Sequence, residues 1–279
     1  MMRNEAPPVH SAASFNGNGL RDILAREAAT GDLYVVPHLG SYDGEKTFGE
    51  PVKIGEGFGS AVWIGAADLT GNGFGDVVTV TDDEKFLVYM NQGGLAGLDT
   101  LAPPIHAGGK LADVMYVTIA MGDLTGDGKA DIIGRLQDTG EVHQIINQLG
   151  SGEPAPFAPP APYATIDPAD IPVGLADVTG TGRPDLLVLH PNGNLTVLEV
   201  DRTGATEPVR HTVSHGWDTV QVIDITDIDN NGHPDLLCLT GDNRLVVHRH
   251  SGAFTPDDPE SVFLTPELIG EDWGRFDMI

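Results

Sequence analysis

The chain has 279 residues, with 41 Asp and Glu against 15 Lys and Arg, a formal net charge of −26, 36 Gly, 20 Pro and 40% hydrophobic residues. A field of that sign repels phosphate backbones and anionic headgroups, so nucleic acid and membrane surfaces are excluded as expected partners. The Gly and Pro content, without any long amphipathic stretch, predicts an all-β chain of short strands and tight turns. The one cysteine, Cys238, excludes an internal disulfide and lies in an apolar run where a small buried hydrophobe is expected.

Residues 1–13 contain no apolar stretch of signal-peptide length, so the chain is expected to be cytoplasmic as written, or secreted with a leader already removed. At Ser14 begins a nine-position pattern, S-F-N-G-N-G-L-R-D, that recurs four times. The further copies are D-L-T-G-N-G-F-G-D from Asp68, D-L-T-G-D-G-K-A-D from Asp123, D-V-T-G-T-G-R-P-D from Asp177 and D-I-D-N-N-G-H-P-D from Asp227. A period of roughly 50 residues identifies a propeller or solenoid.

Each copy places side-chain oxygens at positions 1, 3, 5 and 9 and Gly at position 6. The candidate ligands are Ser14, Asn16, Asn18 and Asp22 in loop 14–22, and Asp68, Thr70, Asn72 and Asp76 in loop 68–76. They continue with Asp123, Thr125, Asp127 and Asp131 in loop 123–131, Asp177, Thr179, Thr181 and Asp185 in loop 177–185, and Asp227, Asp229, Asn231 and Asp235 in loop 227–235. Such spacing wraps a short loop around a hard, oxygen-seeking dication such as Ca2+, and the Gly lets the backbone turn its position-7 carbonyl inward. An EF-hand would need Glu at position 12, where Ala25, Thr79, Gly134, Val188 and Cys238 stand instead. Up to five Ca2+ are expected, bound most tightly by the third and fifth loops, with three carboxylates each, and most weakly by the first, with one.

After each loop comes a strand signal such as D-V-V-T-V or D-L-L-V-L, then a turn rich in Gly, Asn or Asp, a third strand, and a longer connection to a fourth. Four strands per repeat is a propeller blade. The proline-rich stretch at residues 154–162 is expected to be a surface connection inside the third blade. The C-terminal E-D-W-G-R-F-D-M-I aligns with the strand entering the fifth loop, Trp273 matching Trp217. It is therefore expected to pair with the N-terminal blade and close a five-bladed ring of four-stranded antiparallel blades, a single domain over 1–279.

On these loops and their flanks, including V-K-I-G-E-G-F-G, the chain resembles the FG-GAP or VCBS repeat proteins, the integrin-type calcium-loop propellers, and its blades look like those of actinobacterial members. The resemblance implies the fold and the metal, and it does not imply one activity. The expected function is a calcium-stabilised binding module, lectin-like or protein-interacting, monomeric, and binding a carbohydrate, a protein or a small molecule. The alternative is an enzyme, of hydrolase or biosynthetic cyclase type, acting on a small molecule or glycan at the mouth of the channel. Trp63, Tyr116, Asp170 and Asp224 are the candidate ligand contacts, with Asp170, Asp224 and Asp277 as carboxylates that could face one another across the axis. Phe58, Trp217 and Trp273 recur ahead of the loops, either as packing between blades or as sugar-stacking faces. His248 and His250, on an alternating strand, are expected at solvated positions.

Overall fold

A computed structural model describes residues 13–83, 85–107, 116–136, 139–153, 155–200, 207–217 and 220–277. Blade 1 contains β1 (Ile23–Glu27), β2 (Leu33–Val36) and β3 (Val52–Gly55). Blade 2 contains β4 (Ala61–Ala67), β5 (Asp76–Thr81), β6 (Phe86–Tyr89) and β7 (Ile105–His106). Blade 3 is β8 (Tyr116–Gly122), β9 (Asp131–Leu136), β10 (Glu141–Ile145) and β11 (Ala161–Thr165), and blade 4 is β12 (Ile171–Ala176), β13 (Asp185–Leu189), β14 (Leu195–Glu199) and β15 (Val209–Ser214). Blade 5 is β16 (Val220–Thr226), β17 (Asp235–Thr240), β18 (Leu245–His248) and β19 (Glu267–Gly270), and β20 (Phe276–Asp277) ends the described chain. The sheet orders are β20-β1-β2-β3, β4-β5-β6-β7, β8-β9-β10-β11, β12-β13-β14-β15 and β16-β17-β18-β19, all pairs antiparallel. The molecule is an all-β, five-bladed propeller.

The strand after each loop is apolar without alternation because both of its faces are covered. On β13, Leu186 and Val188 face the seam with blade 3 and Leu187 faces the seam with blade 5; on β17, Leu236 and Cys238 face blade 4 while Leu237 faces blade 1. The hydrophobic core is thus divided among five seams between neighbouring blades, and a side chain of period two serves two of them.

The first strands β4, β8, β12 and β16 pack on one another around the axis, and each carries a register shift, at the start of β4 and β8 and further along β12 and β16. Small residues stand at or beyond the shift because there is no room for a side chain: a Cβ on Gly65 would lie 2.5 Å from the Trp63 ring and 2.8 Å from the Met121 methyl of the next blade, and one on Gly174 would lie 2.6 Å from Ile225 Cδ1. Blade 5 places Asp224 at this level.

Ring closure uses both ends of the chain. β20 pairs with β1 through Arg26↔Asp277 and Glu27↔Phe276, and Ala13 forms a bridge to Asp22 at the loop end of the same strand. The guanidinium of Arg26 lies 3.3 Å from Asp277 and also donates to the Phe58 and Ala61 carbonyls, tying the closing strand to blade 2. Residues 273–275 form a 3-10 turn rather than strand, and residues 278–279 lie outside the described residues. The proline-rich stretch connects β10 to β11 within blade 3 and is anchored by buried Phe157, which bridges Asn147.

Candidate metal loops and the seams between blades

Backbone N–H groups and short polar side chains build the loops. In the second loop, Asp68 Oδ1 accepts from the N–H of Thr70, Gly71 and Asn72 at 2.7–3.2 Å, and its Oδ2 accepts from Gly73 at 2.7 Å. Asp123 gathers the N–H groups of Thr125 to Gly128 in the same way, while Asp177 and Asp227 each take the last two of the corresponding set. The position-5 oxygen of Asn72, Asp127 and Asn231 accepts from the N–H of position 7. Gly at position 6 runs at φ +77° to +89° in all five loops, the left-handed region that glycine enters without steric cost.

The position-9 carboxylate closes each loop from below. Asp22, Asp76, Asp131 and Asp235 accept from the N–H of position 2 on one oxygen and from an N–H 15 or 16 residues later on the other. Asp185 instead takes the Thr179 N–H and hydroxyl, both at 2.9 Å. All five are buried, and burial pushes Asp22, Asp76, Asp185 and Asp235 up to about 6 and raises Asp131, against the pull of the hydrogen bonds they accept. A dication among them would favour the charged form.

The loops differ in what they bring together. In the fifth, oxygens of Asp227, Asp229 and Asp235 lie within 4.8 Å of one another, which no other trio of acidic, His or Cys ligands achieves among the described residues; Asp123, Asp127 and Asp131 are less closely gathered. Asp229 Oδ1 is buried with no hydrogen-bond partner, a costly state for a carboxylate oxygen, while its Oδ2 meets the Arg249 guanidinium at 3.2 Å. Arg249 is fixed in turn by Glu267 at 2.7 Å and lies 5.3 Å over the Tyr42 ring of blade 1, whose hydroxyl donates to Glu267. This donor set of carboxylates, an Asn amide oxygen and one orphaned oxygen fits a hard dication. In the first loop the neutral oxygens turn on each other, with Ser14 donating to Asn16 and Asn18, and the Asn18 amide is committed to the His38 carbonyl.

The residue whose N–H meets the position-9 Asp also carries a side-chain latch. His38 Nε2 contacts the Ile228 carbonyl, Asn91 donates to Phe15, Asn147 donates to Leu69, and His250 Nε2 contacts Val178, all at 2.8–3.2 Å. Each reaches position 2 of the loop on the preceding blade. His250, expected at a solvated position, is 4% exposed for this reason. The signal was present as His or Asn 15 or 16 residues after the last Asp of a loop, although such a residue alone is indistinguishable from an ordinary strand end. In blade 4 the corresponding residue is Val200, which has no donor to offer.

The candidate contacts lie as follows. Trp63 is 5% exposed in the seam between blades 2 and 3. Asp224 is buried beside the axis, its carboxyl pushed up to about 7 by burial and drawn back by Arg21. Asp170 is buried and 2.7 Å from His190 Nδ1, and His190 Nε2 is 2.9 Å from the Thr196 hydroxyl. That relay has hydrogen-bond lengths suited to proton transfer, yet Thr196 is 4% exposed, so its hydroxyl is closed to a substrate. Asp277 is held by Arg26. The side chain of Tyr116 lies outside the described residues. Phe58, Trp217 and Trp273 pack in the seams, and their backbone N–H groups donate to the carbonyls of Gly31, Gly193 and Asn243, left-handed residues at the hairpin tips. They are packing anchors between blades.

A profile of the FG-GAP-like repeat matches residues 177–238, from the fourth loop through the fifth and into the strand beyond it. Five such loops occur at one place in five successive blades. Residues 177–238 therefore carry FG-GAP-like repeat sequence within a five-bladed β-propeller. Among solved structures, the Vibrio cholerae biofilm matrix protein Bap1 is similar at 17% identity and a TM-score of 0.30, over 89% of this chain and 39% of Bap1. The chain therefore spans well under half the length of that protein. No curated protein matches the chain. The fold is consistent with a binding module.

Proposed function

We propose that the protein is a calcium-stabilised binding module whose ligand, a carbohydrate or a protein, is held by connections that the metal loops keep in place. The observation that carries this reading is the trio Asp227, Asp229 and Asp235 with the orphaned, buried Asp229 Oδ1. With Asn231 and the His233 carbonyl these groups would hold Ca2+, which supplies a fixed positive charge that neutralises and orders the loop. The ligand set of the third loop, Asp123, Thr125, Asp127 and Asp131, is assigned the next rank. The sets of the second and fourth loops follow, and Ser14, Asn16, Asn18 and Asp22 come last.

Antiparallel order places the connection from the third strand to the fourth on the same face as the loops. The hairpin turns between second and third strands lie on the opposite face, where tip carbonyls are already engaged by Phe58, Ile166, Trp217 and Trp273. The free surface for recognition is then the set of third-to-fourth connections, since variable loops on a rigid scaffold are where binding resides. Calcium acts on them through position 9, because that carboxylate also grips the N–H that starts the connection. The test is a glycan array probed with and without Ca2+, paired with thermal melts of the same samples. A melting temperature raised by Ca2+ and array binding that needs Ca2+ support the reading, and a melt unmoved by Ca2+ contradicts it.

A further inference from the structure

The seam between blades 3 and 4 differs from the other four in the same place. The other junctions are latched by His38, Asn91, Asn147 or His250; here Val200 takes the latch position, and no described side chain donates to the Leu124 carbonyl. A cleft of about 180 Å³ lies there, lined by Leu124 and Thr125 of the third loop, Gln144 on β10, Tyr163 on β11, Arg183 of the fourth loop, and Val200. Its walls combine apolar surface with an amide, hydroxyl groups and a guanidinium, the mixture that holds a small polar ligand in a fixed orientation. Arg183 forms no ion pair with any described residue, although acidic groups outnumber basic ones 41 to 15.

Resting on the reading of the propeller as a binding module, we propose that this cleft is a binding site for a sugar acid, with Arg183 taking the carboxylate. Guanidinium and carboxylate meet as a two-pronged, charge-assisted pair, and in a protein with this net charge the Arg183 side chain offers the local attraction that admits an anion. Gln144 and the Leu124 carbonyl provide partners for ring hydroxyls, and the edges of Leu124, Tyr163 and Val200, each 4–9% exposed, bound the cleft on its apolar side. The missing latch makes the room: an Asn at position 200 would reach across the seam, as Asn147 does one blade earlier.

The experiment titrates D-glucuronate and D-glucose into the calcium-loaded full chain, followed by NMR, for the wild type, Arg183→Gln and Val200→Asn. The wild type is expected to bind glucuronate at one site and at least about tenfold more tightly than glucose, a difference within the reach of one charge-assisted pair. Arg183→Gln, an exposed change that leaves the seam intact, should reduce glucuronate to the level of glucose. Val200→Asn should abolish both and raise the melting temperature. No glucuronate binding by the wild type, equal affinity for the two sugars, or affinity unchanged in Arg183→Gln would overturn the proposal. Melts with and without Ca2+ on the same samples separate the two readings. Glucuronate binding without a calcium effect leaves the cleft and removes the metal from the account, and the converse removes the cleft alone.

Discussion

Replacing Asn147 by Ala isolates the contribution of one latch. The Asn147 side chain is 5% exposed; its amide donates to Leu69 at 2.8 Å and Ala130 at 3.0 Å, and its oxygen accepts from the Leu149 N–H at 2.9 Å. Truncation leaves two carbonyls and one N–H of the backbone without that partner. Each neutral hydrogen bond contributes about 0.5–1.5 kcal/mol net, and an orphaned buried group costs more, so the loss should total about 2–4 kcal/mol. Unfolding entropy near 2.1 cal/mol/K per residue, over a chain of this length, converts that to a fall of roughly 3–7 °C in melting temperature. Scanning calorimetry at saturating Ca2+ reads it directly. Asn147→His should recover part of the loss, because His38 and His250 do the same work at two other seams. A melting temperature for Asn147→Ala within 1 °C or so of the wild type would refute the idea that latches hold neighbouring blades together.

Removing residues 273–279 should unfold the ring at a markedly lower temperature, since it strips the seam of Trp273 and Phe276 and leaves β1 with a bare edge; a truncated chain that melts like the full one would contradict closure by β20. Asp224→Asn should change the dependence of stability on pH. The folded protein holds the Asp224 proton up to about pH 7, above the ordinary carboxylate range, so stability is greatest while the group is neutral and falls as pH rises through that window. The variant should therefore gain about 2–3 kcal/mol on the wild type between pH 5 and pH 7 in urea melts, and a difference flat with pH would refute the assignment. Gly140→Ala should destabilise far more than Gly126→Ala, as both positions have positive φ but only at Gly140 would a Cβ collide with a carbonyl oxygen, that of Ile166. Equal melting temperatures for the two variants would count against that packing.

Much of the architecture was legible because the sequence repeats its punctuation. Gly at position 6 and Asp at position 9 mark where each second strand begins, and the unalternated runs after Asp185 and Asp235 mark strands covered on both faces. The displaced C-terminal motif around Trp273 revealed the closure, although its first three residues turn instead of pairing. Contacts across seams were less legible. A histidine such as His250 looks solvated on an alternating strand until the neighbouring loop supplies the Val178 carbonyl. The unequal gathering of carboxylates was also hidden, since the third and fifth loops both carry three and only the fifth brings them within 4.8 Å. That difference comes from spacing: the third loop has its acids at positions 1, 5 and 9, and the fifth has them at 1, 3 and 9, where Arg249 and Glu267 brace Asp229.

The most direct measurement of the calcium claim is isothermal calorimetry of Ca2+ into the metal-free wild type and into Asp229→Asn. The wild type is expected to show a tightest site whose affinity falls roughly tenfold or more in the variant, since a ligand charge is lost from the best-gathered loop. A wild type that takes up no Ca2+, or a variant whose tightest site is unchanged, would contradict that claim.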